Sequence, residues 1–157
     1  MDPLTLTLLL GRLGRLTDTM ATEICAAAGT TPAEIRVLAF LVHAPDNAAR
    51  PSDVARFVVQ TSGGLTATLN RLEQEALVER RPDPADGRGK LVVLTETGRR
   101  LQDSVLGELA DATRRAVADL DLATTGAAVL DLIVALEDAA GLPSSAGFVA
   151  NPIGVSA

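Results

Sequence analysis

A chain of 157 residues with 47% hydrophobic content has the length and apolar fraction of one globular domain. Aromatic residues make up only 2%, so Leu, Val and Ala must fill its core. The net charge of −6 stands as an objection to nucleic-acid binding, whose non-specific part rests on phosphate contacts.

The first 16 residues, MDPLTLTLLLGRLGRL, lack a basic leader and meet Arg12 and Arg15 early. They make neither a signal peptide nor a bilayer span, and the expected location is cytoplasmic. Leu6, Leu9, Leu13, Leu16, Met20 and Ile24 recur at spacings of three and four, which predicts an amphipathic helix. Thr31-Pro32-Ala33-Glu34 is a capping box with proline at the first helical position. The nearly apolar run Ile35–Val42 then reads as a buried central helix, broken at Pro45-Asp46-Asn47. A third helix starts at Arg50, capped near Ser52, with Val54, Ala55 and Val58 inward.

Through Gln60–Ser62 this helix joins a fourth, whose Leu65, Leu69, Leu72 and Ala76 form one buried stripe. Its opposite face carries Gly63, Ala67, Asn70 and Gln74, flanked by Thr66 and Arg71. Such small and polar side chains suit a surface that fits between two sugar–phosphate walls. Thr61 or Ser62 caps the helix start and leaves backbone N–H groups for a phosphate. Val78–Arg81 and Leu91–Leu94 are β-prone, and two prolines and two glycines between them favour turns over helix. Arg80, Arg81, Arg88 and Lys90 lie on or near this hairpin, where long basic side chains reach phosphates or a minor groove. The predicted fold is mainly α with a small β-hairpin wing: a winged helix-turn-helix, which lays one helix in the DNA major groove and a hairpin beside it. Arg50 and Arg56 then read as phosphate contacts or as plain solvated residues.

The charge is unevenly divided. Residues 50–100 carry nine basic and seven acidic residues, whereas residues 101–157 carry two and eight. The basic surplus falls on the proposed DNA-binding segment and is modest, so binding should weaken readily with salt and depend on a dimer. After a Thr95 cap, Leu101, Val105, Leu109, Ala116 and Leu120 share one helical face. A second helix from Leu122 or Thr124 carries Val129, Leu132, Ile133 and Leu136. One winged lobe is too small to cover three long apolar stripes, so the terminal helices are read as covered by a second copy of the chain, against the alternative of a monomeric bundle. The expected division is a winged lobe at 31–96, dimerisation helices at 4–28 and 97–140, and a loose tail at 141–157.

The run LNRLEQEALVERRPDPADGRGKLVVLTETGRRL resembles the multiple-antibiotic-resistance regulator (MarR) family of winged-helix transcription factors. The resemblance is carried by Arg71–Glu73, by the L-V-x-R of Leu77–Arg80, by the D-P-x-D-x-R of Asp83–Arg88 and by the L-T-x-x-G of Leu94–Gly98. It extends from about Leu4 to Ala140. There are departures. Ala67 and Gly87 stand where relatives often carry arginine, and Ala76 stands in place of a frequent helix-ending glycine. The resemblance implies a two-fold dimer on a pseudo-palindromic operator of double-stranded DNA. Thr66, Asn70 and Arg71 are then placed at the bases, Thr61, Ser62, Arg88 and Lys90 on the backbone, and Gly63 within the DNA-binding surface. It also implies a repressor role and release by a small aromatic or anionic effector in a cleft between the dimer helices and the lobe. Candidate effector contacts are Arg12, Arg15, Arg36 and His43, each of which also reads as an ordinary surface or core residue.

Cys25 has no basic neighbour in sequence to lower its pKa and no tyrosine exists to hold a thiolate, so it reads as a buried structural thiol. One His and one Cys far apart make no metal site. The chain has no nucleophile elbow, phosphate loop or paired His–carboxylate motif, so neither an enzyme nor a cofactor is expected. The rival reading is a winged-helix module that binds protein rather than DNA.

Overall fold

The computed structural model describes residues 1–58, 62–142 and 144, with the backbone alone at 62, 87 and 88. Helix α1 (Pro3–Ala27) starts from Asp2, whose carboxylate accepts the Thr5 N–H at 3.0 Å. Helix α2 (Pro32–His43) starts from the anticipated capping box. The Glu34 N–H donates to Thr31 Oγ1 at 3.3 Å and the Thr31 N–H to Glu34 Oε2 at 2.9 Å. Its Ile35, Val37, Leu38, Ala39 and Leu41 are buried, as its nearly unbroken apolar run requires. A short 3-10 turn, Pro45–Asn47, puts Asp46 and Asn47 in the left-handed region, and Arg99 donates to Asn47 Oδ1 at 2.5 Å to hold it.

Strand β1 (Ala48–Ala49) follows, then α3 (Pro51–Val58), which begins at Pro51 one residue ahead of the anticipated Ser52 cap. Helix α4 (Ser62–Gln74), strands β2 (Val78–Asp83) and β3 (Asp86–Leu94), and helices α5 (Glu96–Ala116) and α6 (Leu122–Ala140) complete the order. The antiparallel sheet runs β1-β3-β2. The hairpin strands extend past the expected Arg81 and start before Leu91, leaving Pro84 and Ala85 as the turn. Pro82 is accommodated because β2 is an edge strand, and the register shifts between Pro82 and Asp83.

Val37, Leu38, Leu41, Val54, Leu65, Leu69, Leu72, Leu77, Val92 and Val105 form one core under α2, α3, α4, the sheet and α5. Ala76, expected as the last member of the α4 stripe, lies beyond the helix. It is exposed at φ +56, while the Leu77 N–H reaches back to the Leu72 carbonyl at 2.9 Å. That 6→1 bond is the Schellman closure, achieved here with alanine in the usual glycine position. Thr95 locks the next junction: its hydroxyl is 2.8 Å from the Ala76 carbonyl and 3.0 Å from that of Leu77, and it accepts the Gly98 N–H at 3.0 Å. A Cβ on Gly98 would lie 2.1 Å from the Leu77 carbonyl oxygen, so α5 starts against the end of the helix-turn-helix only because that residue is glycine.

The terminal helices contrast with this lobe. Helix α1 packs its last turns on the core through Ile24 and Cys25, but Leu4, Leu8, Leu9, Leu13 and Leu16 are exposed. Helix α6, capped by Asp121, buries no residue, and Leu120, Leu122, Val129 and Leu136 are exposed. No single helix among the described residues is long and apolar enough to cross a membrane.

Candidate nucleic-acid interface

Helix α4 is amphipathic in the anticipated sense. Leu65, Leu69 and Leu72 face the core, and Gly63, Gly64, Thr66, Ala67, Asn70 and Arg71 are exposed. Thr61 lies outside the described residues, as do the side chains of Ser62 and Arg88 and residues 145–157 of the tail. A Cβ on Gly63 would meet nothing within 4 Å, so no packing inside the chain demands glycine there.

The arginines assigned to DNA fall into two groups. Arg71 turns back along its helix: its Nε lies 3.0 Å from the buried carboxylate of Glu34 and 3.1 Å from Glu75, and its Nη2 donates to the Gly29 carbonyl at 3.2 Å. It therefore ties α4 to the start of α2, and the hydrogen bond to Glu75 followed by the Glu34 charge raises its pKa further. Arg50 donates through Nε to Asp83 Oδ2 at 2.6 Å. Asp83 is buried and also accepts the Ala85 N–H at 2.8 Å, an Asx-type turn that shapes the hairpin tip. The Ala85 hydrogen bond, then the one from Arg50, hold the Asp83 carboxyl below the usual aspartate range.

Arg80 on β2 is a third bridge. It donates through Nη2 to Asn70 Oδ1 at 2.6 Å, and its Nε lies 3.2 Å from Glu73 Oε2. Arg81 pairs with Glu79. Arg56 on α3 and Lys90 on β3 are exposed and make no ion pair among the described residues. Sequence reasoning placed Arg80 near the hairpin but missed its bond to Asn70, and it missed Glu34, Glu73 and Asp83 as partners.

These elements in this order match known proteins. The family model described as MarR family matches residues 28–89. MarR from E. coli in its apo form superposes with a TM-score of 0.73 at 25% identity, covering 85% of this chain and 98% of that one. Residues 28–89 thus resemble the MarR family, and the fold around them is that of MarR family transcriptional regulators. Sco3205 from Streptomyces coelicolor, a MarR family transcriptional regulator solved in complex with DNA, gives 0.66 at 23% identity, covering 83% and 85%. CouR from Rhodococcus jostii RHA1, solved bound to p-coumaroyl-CoA, gives 0.70 at 24% identity, covering 81% and 88%. A search of curated proteins finds no match.

Two cavities bear on the effector candidates of this MarR-like chain. An apolar pocket of about 190 Å³ lies between α1, α2 and α5, lined by Ala21, Ile24, Cys25, Ile35, Ala39, Val105 and Leu109, with Arg36 at its edge. Arg36 there faces Asp18 at 3.9 Å. His43 is instead on a separate open cleft of about 480 Å³ beside Phe40, Phe57, Arg50 and Asp83. Arg15 lines a shallow surface depression with Asp18, Thr19 and Glu23, and Arg12 is exposed on α1 and lines neither cavity. The four candidates are thus not brought together. Cys25 is 2% exposed and its thiol is pushed up by burial, against a smaller opposing pull from Arg36.

Proposed function

We propose that this chain is a homodimeric transcriptional regulator that represses by binding a pseudo-palindromic operator in double-stranded DNA. The observation that carries the reading is the exposed small and polar face of α4, standing beside a hairpin wing with Lys90 exposed. In this reading Gly63, Thr66 and Asn70 meet base edges, whereas Thr61, Ser62, Arg56, Arg88 and Lys90 hold the backbone. Arg50 and Arg71 act one step back, on the wing and on the seat of α4, because each guanidinium is already bonded to a buried carboxylate. A second copy of the chain covers the exposed leucines of α1 and α6, and the dimer sets the spacing of two α4 helices about one DNA turn apart.

Release is assigned to a small molecule with an apolar body in the pocket between α1, α2 and α5 and an anionic end at Arg36. Such a ligand acts only if it binds one spacing of the α4 helices better than another, and this pocket touches both α1 and the core helix α2. The pairing of Arg50, Arg71, Arg80 and Arg81 with acids favours one rival, a winged-helix module that binds protein. Neutralising Arg56 and Lys90 together separates the two. A DNA regulator should lose affinity for all duplexes alike and, with two contacts removed from each of two protomers, about three to four units of salt slope while staying dimeric. An unchanged salt slope contradicts the backbone assignment.

A further inference from the structure

Resting on the DNA-reading role of α4 proposed above, we infer that Arg80 is a specificity-positioning residue that makes Asn70 read guanine rather than adenine. An asparagine that meets adenine in the usual bidentate way accepts from N6–H through Oδ1 and donates to N7 through its amide. Here Oδ1 already accepts from the Arg80 guanidinium at 2.6 Å. A carboxamide facing a cation presents its oxygen to that cation, so the identity of its two ends is fixed by chemistry. Oδ1 keeps a second lone pair, but the cation beside it competes with and repels a further donor, so the end that stands free for a base is the NH2 group, which only donates.

Guanine offers two acceptors, N7 and O6, on the major-groove edge, whereas adenine and cytosine each place an amino donor there. An adenine amino group would have to bond an oxygen already engaged by a positive charge, beside Nη2 of Arg80. The arrangement is held from the other side, because Arg80 Nε lies 3.2 Å from Glu73 Oε2, one helical step along the same face of α4. Arg80 itself stands on β2 opposite Val92 of β3, which is buried. The wing thus sets the donor pattern of the recognition helix as well as reaching DNA itself.

The test selects bound duplexes from a pool with a randomised half-site, using the intact protein and its Asn70→Ala, Arg80→Ala and Arg80→Lys variants. The expected result is a position where the wild type prefers guanine over adenine by about fivefold or more and Asn70→Ala shows no preference. At that same position Arg80→Ala should shift toward adenine, Arg80→Lys should keep guanine, and preferences elsewhere in the half-site should not move. A merely structural Arg80 would weaken every sequence alike and leave the preference in place, which overturns the inference. So does adenine at the Asn70-dependent position of the wild type, or guanine retained in Asn70→Ala. If the wild type selects no sequence at all, the DNA-reading role falls and this inference falls with it, an outcome distinct from the others.

Discussion

The terminal helices are richer in leucine than the winged lobe, yet the lobe covers its leucines better. In the lobe, Leu38, Leu41 and Leu72 are at 0% exposure, enclosed by four helices and a sheet from the same chain. In α1 and α6, Leu8, Leu9 and Leu136 stand more than half exposed, although each leucine of full burial contributes roughly 1.5–3 kcal/mol. Contiguous exposed apolar surface on that scale marks an interaction site. The lobe's leucines are thus covered within the chain, with help from Cys25 of α1 and Val105 of α5, whereas the exposed leucines of α1 and α6 are what the proposed second copy would cover.

That comparison breaks first if its two halves respond alike to substitution. Leu72→Ala should cost about 3–5 kcal/mol in chemical denaturation, since it empties a fully enclosed site. A loss below 1 kcal/mol would mean that the core under α4 is looser than described. Leu9→Glu combined with Leu13→Glu should leave the lobe folded by circular dichroism and convert the protein to a monomer in sedimentation. Operator affinity should then fall about a hundredfold through loss of the second half-site contact. A double variant that sediments like the wild type would show that α1 is not the interface.

Smaller effects sharpen the picture within the lobe. Arg50→Ala frees Asp83 and should lower operator affinity about tenfold, or roughly 1.4 kcal/mol, with little change in salt slope because the arginine acts on the wing and not on a phosphate. A slope lower by about two units, one for each protomer, would reassign it to the DNA backbone. The same pair gives a pH signature. Asp83 titrates below the ordinary aspartate value of about 3.9 when folded, so its contribution is complete above that value and is lost as pH falls through the lowered one. Wing order, followed by NMR at Ala85, should thus persist at pH 4.5 and fail only in stronger acid. Smallest of all, Ala76→Gly should stabilise the protein by up to about 1 kcal/mol, since φ +56 strains an alanine. A destabilisation would show that the loss of chain entropy to glycine dominates instead.

What the sequence disclosed and what it hid divide along contact range. The Thr31–Glu34 box, the Leu65–Leu69–Leu72 stripe and the two hairpin strands are local patterns, written within a few residues of themselves, and each is found in the fold. Strand β1 escaped because two alanines carry no period and their partners, Val92 and Val93, lie more than 40 residues away. The same holds for the arginines. Composition says that they are basic, but only the fold brings Arg50 to Asp83, 33 residues on, and Arg71 to Gly29, 42 residues back. Arg80 and Asn70, ten residues apart, sat on two elements whose mutual orientation no periodicity encodes. The effector candidates scattered for a related reason: Arg12, Arg15, Arg36 and His43 were chosen by charge type, and charge type does not say which cavity a helix face borders.

The most direct test of the account is a fluorescence-anisotropy titration of the intact protein against the DNA upstream of its own gene, at two salt concentrations, with a random duplex as control. The account predicts tight, sequence-selective binding of two copies per operator that weakens steeply as salt rises. Binding equally weak on both duplexes, or none at low salt, would contradict it and bring the protein-binding module forward.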